Sequence, residues 1–241
     1  MAVAAVTATA IPASAAPSSV GPDVSSWQHT GGALINWGAV RAAGQHMAMV
    51  KATESDWYVN PYYVPDAVGV KASGLMLGTY HYADPSKPAA AQALFYAGVA
   101  LGQRGPQTLP PVLDLESSGG LSPAGLAAWL REYFATLEGI TGRKTIIYTY
   151  PTFWNTAMAG SSAFTDHPLW IASYNGGSAP TLPRGWGGWT FWQYTDNGRL
   201  PGIKGGVDLN AYNGTIPSLY AMGNNIGGLS SGSLGSAGSS S

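Results

Sequence analysis

Strand-like apolar runs alternate with helical patterns through most of this chain, and that alternation limits the fold more than any other feature. Strand-like runs fall at 21–25, 47–53, 75–83, 112–116 and 145–150. Three more, at 169–174, 189–195 and 207–212, follow with loops and no helical pattern between them. Helical patterns occupy 36–43, with Asn36 as a cap and Gly44 as a stop, 61–73, closed by Gly74, and the Ala-rich 88–101. Ser122-Pro123 is an N-cap and first-turn pair. The helix it opens carries Leu126, Trp129, Leu130, Phe134 and Leu137 on one stripe, with Gly139 as its expected end. Repeated βα units favour a parallel sheet with right-handed crossovers. Eight strands then predict a single α/β barrel that has lost helices in its last third, with an open doubly wound sheet as the other arrangement. In a parallel barrel the working residues sit at the C-terminal strand ends.

The 11 basic and 12 acidic residues all lie between Asp23 and Asp208. A folded surface needs charge, so this span of about 190 residues marks one domain. Residues 1–20 read as a signal-like or disordered leader, with Ala13-Ser14-Ala15 matching a small-x-small cleavage pattern but no charged n-region. This places the domain at 21–220, in a secreted protein. Residues 221–241 read as a Gly/Ser-rich disordered tail. A net charge of −1 argues against a phosphate-neutralising nucleic-acid surface and a polybasic membrane surface. No run approaches ~18 apolar residues, so no membrane span is expected. The absence of cysteine excludes disulfides, thiol catalysis and Cys metal sites. Neither a Walker loop nor a dinucleotide fingerprint occurs.

Asp114 and Glu116 stand out among the acids. They end the apolar run Pro-Val-Leu-Asp-Leu-Glu, and i, i+2 positions of a strand share a face with Cα atoms roughly 6–7 Å apart. Two carboxylates so placed repel and lose hydration, so one stays protonated and the other ionised. Glycosidic cleavage needs that pair: an acid for the leaving oxygen and an anion for the developing positive charge. Loop capping or pairing with Lys or Arg is the plainer explanation. Asp23 ends the first strand and Asp208 sits on the last. In a closed barrel these strands are neighbours, which brings all four acids to one mouth. Four acids there also fit a divalent-cation site, though such sites usually add carbonyl ligands. Asp66, Asp166 and Asp196 have no special neighbours in the sequence.

Five aromatics crowd 186–194. On a strand, Trp189, Phe191 and Gln193 share one face, and Thr190, Trp192 and Tyr194 the other. One set packs in the core; the other is free to line a groove, where aromatic faces suit sugars. Tyr80, Tyr82, Tyr148, Tyr150 and Tyr174 end strands, so some of them line the mouth. The four histidines lack metal-ligand spacing, and His81 reads as a structural or site-lining hydrogen bonder.

Taken in order, these residues resemble a known family. Asp23-Val-Ser-Ser-Trp-Gln, Asn36-Trp37, Val50-Lys51-Ala-Thr-Glu54, Asn60-Pro61, Gly78-Thr-Tyr-His-Tyr-Ala83, Asp114-Leu-Glu116, Ile147-Tyr-Thr, Leu169-Trp-Ile-Ala, Trp192-Gln193-Tyr and Val207-Asp208-Leu-Asn210 closely resemble the glycoside hydrolase family 25 muramidases, or Chalaropsis-type lysozymes. The resemblance spans about 21–220. It implies a modified TIM-like (β/α)5(β)3 barrel and cleavage of the β-1,4 bond between N-acetylmuramic acid and N-acetylglucosamine in peptidoglycan. Glu116 is implied as general acid, Asp114 and Asp208 as its carboxylate partners, and Asp23 as the fourth acid. Tyr80, Tyr148 and Trp192 are implied as site-lining, and Tyr174 and Gln193 join them as substrate-binding candidates. The expected partner is the peptidoglycan glycan strand, met by a monomer with no metal and no cofactor. A glycan-binding module without activity is the alternative. Ser55, Tyr82 and Ser173 depart from the usual pattern, which bears on groove shape rather than on the carboxylates.

Overall fold

A computed structural model describes residues 18–100 and 104–225. Eight strands close into a barrel: β1 (Gly21–Val24), β2 (Met47–Glu54), β4 (Met76–Tyr82), β5 (Val112–Asp114), β6 (Ile146–Thr149), β7 (Leu169–Ala172), β8 (Phe191–Gly198) and β9 (Val207–Tyr212). A short β3 (Tyr58–Val59) folds back on β2 as a hairpin. Helices α1 (Trp37–Ala42), α2 (Tyr63–Ala72), α3 (Ala89–Ala100), α4 (Pro123–Thr141) and α5 (Pro151–Ala157) follow the first five barrel strands. The expected (β/α)5(β)3 arrangement is therefore observed. All neighbouring barrel strands pair parallel except β9, which is antiparallel to both β8 and β1.

Period-2 alternation sorts the strand residues into two apolar layers. Met47, Met49, Met76, Val112, Ile146, Trp170 and Phe191 fill the barrel. Ala48, Val50, Leu77, Leu113, Ile147, Ile171 and Trp192 face out into the layer beneath the helices. The inward files change character as they rise. Met47 and Met49 lead to Lys51, Val112 to Asp114, Ile146 to Tyr148, and Phe191 to Gln193. An apolar plug thus fills the lower barrel and polar groups crown it.

Several boundaries differ from expectation. The chain joins the fold before Gly21: Val20 is buried, and its backbone bonds Asn210, His46 and Met47. Residues 1–17 and 226–241, which hold most of the expected leader and tail, lie outside the described residues. The tail does not begin at 221. Helix α6 (Ile216–Asn224), capped by Thr215, runs through it, and Leu219 packs into the lower barrel core. Arg143 donates to the Met222 carbonyl and Gln107 N–H to Asn224, which holds the helix there. Helix α4 passes Gly139 and ends at Gly142, whose φ of 62° is the left-handed conformation that stops a helix. Trp189 lies outside β8 and packs on Trp192, at 6.0 Å between ring centroids, so it does not share the face of Phe191. Asp66 is far from neighbourless: it is buried, accepts from Trp37 Nε1 (3.2 Å), and pairs with His29 Nε2 (2.8 Å). Asp166 pairs with Lys144. Among the described residues, no helix is long and apolar enough to cross a membrane.

Candidate active site

The upper barrel opens into a cleft of about 280 Å3. Asp23, Asp114, Glu116 and Asp208 all line it, with Tyr80, Tyr82, Tyr148, Trp170 and Gln193. The reversed β9 explains how Asp208 arrives there. On the parallel strands the mouth is the C-terminal end, whereas Asp208 is the second residue of β9 and directly opposes Asp23 of β1 in register. Asp114 is the last residue of β5, and Glu116 follows in the same inward file. Between them Leu115 points out into the helix-facing layer, as strand alternation requires.

The four acids form two pairs. Asp208 opposes Asp23 across β9 and β1, Glu116 stands two residues beyond Asp114 on one inward file, and each acid perturbs the ionisation of its partner. Burial raises all four carboxyls above their ordinary values. Asp208 is pushed up to about 9, by burial first and by Asp23 next. Asp23 is raised less freely, because Gln193 Nε2 donates to its Oδ2 (3.0 Å) and so does Asn210 Nδ2 (2.9 Å). Both amides are held in orientation. Tyr148 and Tyr174 hydroxyls donate to Gln193 Oε1 at 2.8 and 2.5 Å, and Trp170 Nε1 donates to Asn210 Oδ1 (2.7 Å). Asp23 is therefore the ionised member of its pair and Asp208 the protonated one. Burial and Glu116 hold Asp114 well above the usual carboxylate range. Burial also raises Glu116, which stays half-open to the cleft. One buried pair with a retained proton and one anchored anion is a set of groups that can protonate a leaving oxygen and stabilise positive charge.

Most of the candidates named from sequence meet in this cleft, but Trp192, Tyr174 and Tyr150 do not line it. Trp192 is buried on the outer face of β8 and donates from Nε1 to the Ser173 carbonyl (2.8 Å). Its neighbour Gln193 takes the inward position, so Trp192 is a core residue. Tyr174 is 51% exposed and reaches the site through its bond to Gln193 rather than as cleft wall. Tyr150 packs at the edge of both apolar layers. His81 also faces outward, held by Thr53 (2.8 Å) and Gln92 (3.0 Å), so of its two expected roles it has the structural one. Sequence reasoning passed over Trp27, Gln28, Lys51 and Trp170, which all line the cleft. Extending the inward file from Met47 and Met49 finds Lys51, and the same alternation on β7 finds Trp170.

No group of three or more acidic or His side chains among the described residues converges as a metal site. A separate apolar cavity of about 190 Å3, lined by Tyr96, Leu109, Leu137 and Arg143, holds no carboxylate. The acid chemistry belongs to the barrel mouth.

Comparison with known proteins identifies the family. The chain matches the family described as glycosyl hydrolases family 25 over residues 22–203. It is 38% identical over 214 residues to lysozyme M1 of Streptomyces globisporus, covering 85% of this chain and 71% of that protein. It is 34% identical over 214 residues to an N,O-diacetylmuramidase of Chalaropsis sp, covering 84% and 97%. The crystal structure of a bacterial lysozyme from Streptomyces coelicolor superimposes with a TM-score of 0.80 at 35% identity, covering 87% of this chain and 99% of that one. With its barrel, its carboxylate mouth and these relatives, the chain is a glycoside hydrolase and belongs to glycosyl hydrolases family 25.

Proposed function

We propose that this protein is a muramidase that hydrolyses the β-1,4 bond between N-acetylmuramic acid and N-acetylglucosamine in bacterial peptidoglycan. The observation that carries the reading is the pair of carboxyls on one inward file, Asp114 buried and Glu116 half-open at the mouth. Glu116 is the general acid. Burial raises its carboxyl and so favours the protonated form, and its half-open position gives a glycosidic oxygen access to that proton.

As the leaving oxygen takes this proton, positive charge grows at the anomeric carbon. Two routes relieve it. A carboxylate attacks directly, which needs carboxyl groups about 5–5.5 Å apart. Alternatively the sugar's own 2-acetamido oxygen attacks, with Asp114 orienting the amide. Asp114 Oδ1 is buried without a protein partner, an acceptor suited to an amide N–H, and this supports the second route. Asp208 assists from the opposite wall, and the anchored charge of Asp23 stabilises the developing cation. Both routes retain the anomeric configuration.

Export is part of the reading, on the strength of the small-residue pattern at Ala13-Ser14-Ala15. The test is digestion of purified peptidoglycan by wild type and Glu116→Gln, followed by borohydride reduction and mass spectrometry. Muramitol ends from wild type alone are expected. Glucosaminitol ends refute the bond assignment. No ends from either protein, with both still sedimenting with the wall, mean a glycan-binding module instead.

A further inference from the structure

Among the described residues, the cleft contains one cation, Lys51. It stands at the top of the inward file of β2, above Met47 and Met49, with only 15% of its side chain exposed. Its ammonium is held on three sides. Glu54 Oε2 is 2.5 Å away, the Tyr82 ring centroid 4.8 Å and the Tyr58 ring centroid 5.6 Å. Lys51 is the register partner of Tyr80 across β2 and β4, and Tyr82 is that of Asp114 across β4 and β5. The charge is therefore separated from the Asp114–Glu116 pair by the single strand β4, in the same cleft. A lysine gripped in this way cannot swing out to solvent as an exposed one does.

We propose that Lys51 is an electrostatic positioning residue, fixed by Glu54 and the Tyr82 ring so that its charge sets the pH range over which the Asp114–Glu116 pair retains a single proton. The idea deepens the muramidase reading and rests on Glu116 as proton donor. A cation within reach of a carboxyl pair favours the ionised form, and an anion beside that cation weakens the effect. Burial is the largest influence on both carboxyls and raises them, while Lys51 pulls both down. Asp23, facing the pair from β1, repels and works with burial. Asp208 on β9 retains its own proton, and the phenols of Tyr80, Tyr82 and Tyr148 stay neutral, so none of these supplies a compensating cation. On the outer face of β4, His81 is neutral and adds none either. Glu54 is the remaining charge beside Lys51, and 37% of its side chain is open to solvent.

The two partners therefore act with opposite sign, and a packing role does not predict that. The experiment records kcat/KM against pH on purified peptidoglycan for wild type, Lys51→Met, Lys51→Arg and Glu54→Gln, with thermal unfolding as a check on folding. Lys51→Met is expected to move both limbs of the bell up by about one pH unit. Lys51→Arg, which keeps the charge, holds the limbs near their wild-type positions. Glu54→Gln leaves Lys51 uncompensated and moves both limbs down by a smaller amount. Limbs that stay put in Lys51→Met, or that move the same way in Lys51→Met and Glu54→Gln, overturn the proposal. If Lys51→Met does not fold, a Glu54→Gln profile that is unmoved or shifted upward overturns it alone. Carboxyl 13C titration of the same variants reads the pair without substrate. A wild type that releases no muramitol ends thus defeats the muramidase reading while this test still stands.

Discussion

Replacing Asp208 by Asn is expected to stabilise the protein above neutral pH while impairing the cleft. Asp208 faces Asp23 across β9 and β1, and burial, followed by that neighbour, lifts its carboxyl from 3.8 to about 9. Between those values the folded chain holds a proton that the unfolded chain releases. The stability involved is therefore fully present below pH 3.8 and is lost as the pH rises toward about 9. At about 1.4 kcal/mol per pH unit, the loss between 3.8 and neutral pH comes to about 4 kcal/mol. Asp208 is only partly buried, so solvent screening reduces this to about 2 kcal/mol. Asn keeps the shape and donates to Asp23 from its amide without titrating. The variant should then match wild type near pH 4 and exceed it by about 2 kcal/mol at pH 7, a rise of about 4–8 °C in Tm for a chain of this size. Thermal unfolding followed by circular dichroism at pH 4, 6 and 8 measures the difference. A gap between variant and wild type that stays constant across that range refutes the reasoning. Activity is expected to fall at least about tenfold in the same variant, since the cleft loses a carboxyl meant to work opposite Glu116.

Trp192→Ala is expected to cost about 3–5 kcal/mol in stability, as for a fully buried aromatic, and to leave the KM of the folded protein unchanged; a raised KM with intact stability returns Trp192 to the site. Trp27 is 86% exposed at the cleft rim, so Trp27→Ala should raise KM several-fold and change stability by no more than about 0.5 kcal/mol, which steady-state kinetics and urea titration check together. Burial pushes His81 down to about 4, so its ring should stay neutral to that pH by NMR. Because that value lies below the ordinary 6.5, the associated stability is present above 6.5 and is lost as the pH falls toward 4. An imidazolium signal from His81 at pH 5.5 contradicts burial of the ring between Thr53 and Gln92.

Much of the site was legible because strand alternation is a local rule. Asp114 and Glu116 reach one mouth by i, i+2 spacing alone, and Asp23 stands one residue before the end of β1, between buried Pro22 and Val24. The rule gives two faces but does not say which points inward. Trp192, implied by the resemblance, and its neighbour Gln193 are both candidates on sequence, but alternation lets only one of them face inward, and that one is Gln193. Asp66 was misjudged for a different reason. Its partners His29 and Trp37 lie 37 and 29 residues away in sequence, and no local pattern announces such a contact. The helix over Ile216–Asn224 was lost among small residues, because what orders it is a barrel floor built by Met76 and Leu109.

The sequence by itself determined the βα alternation, the extent of the charged domain and the identity of the acids. These follow from local chemistry, from where apolar side chains repeat and where carboxyls interrupt them. Only the tertiary structure decided how the acids divide. Reversal of β9 sets Asp208 against Asp23, while β5 keeps Asp114 beside Glu116. Three aromatic donors then turn two amides so that Asp23 holds its charge, and Lys51 is brought alongside the other pair. Protonation in a buried cleft depends on desolvation and on charges a few ångströms away. Those distances exist only once the barrel has closed.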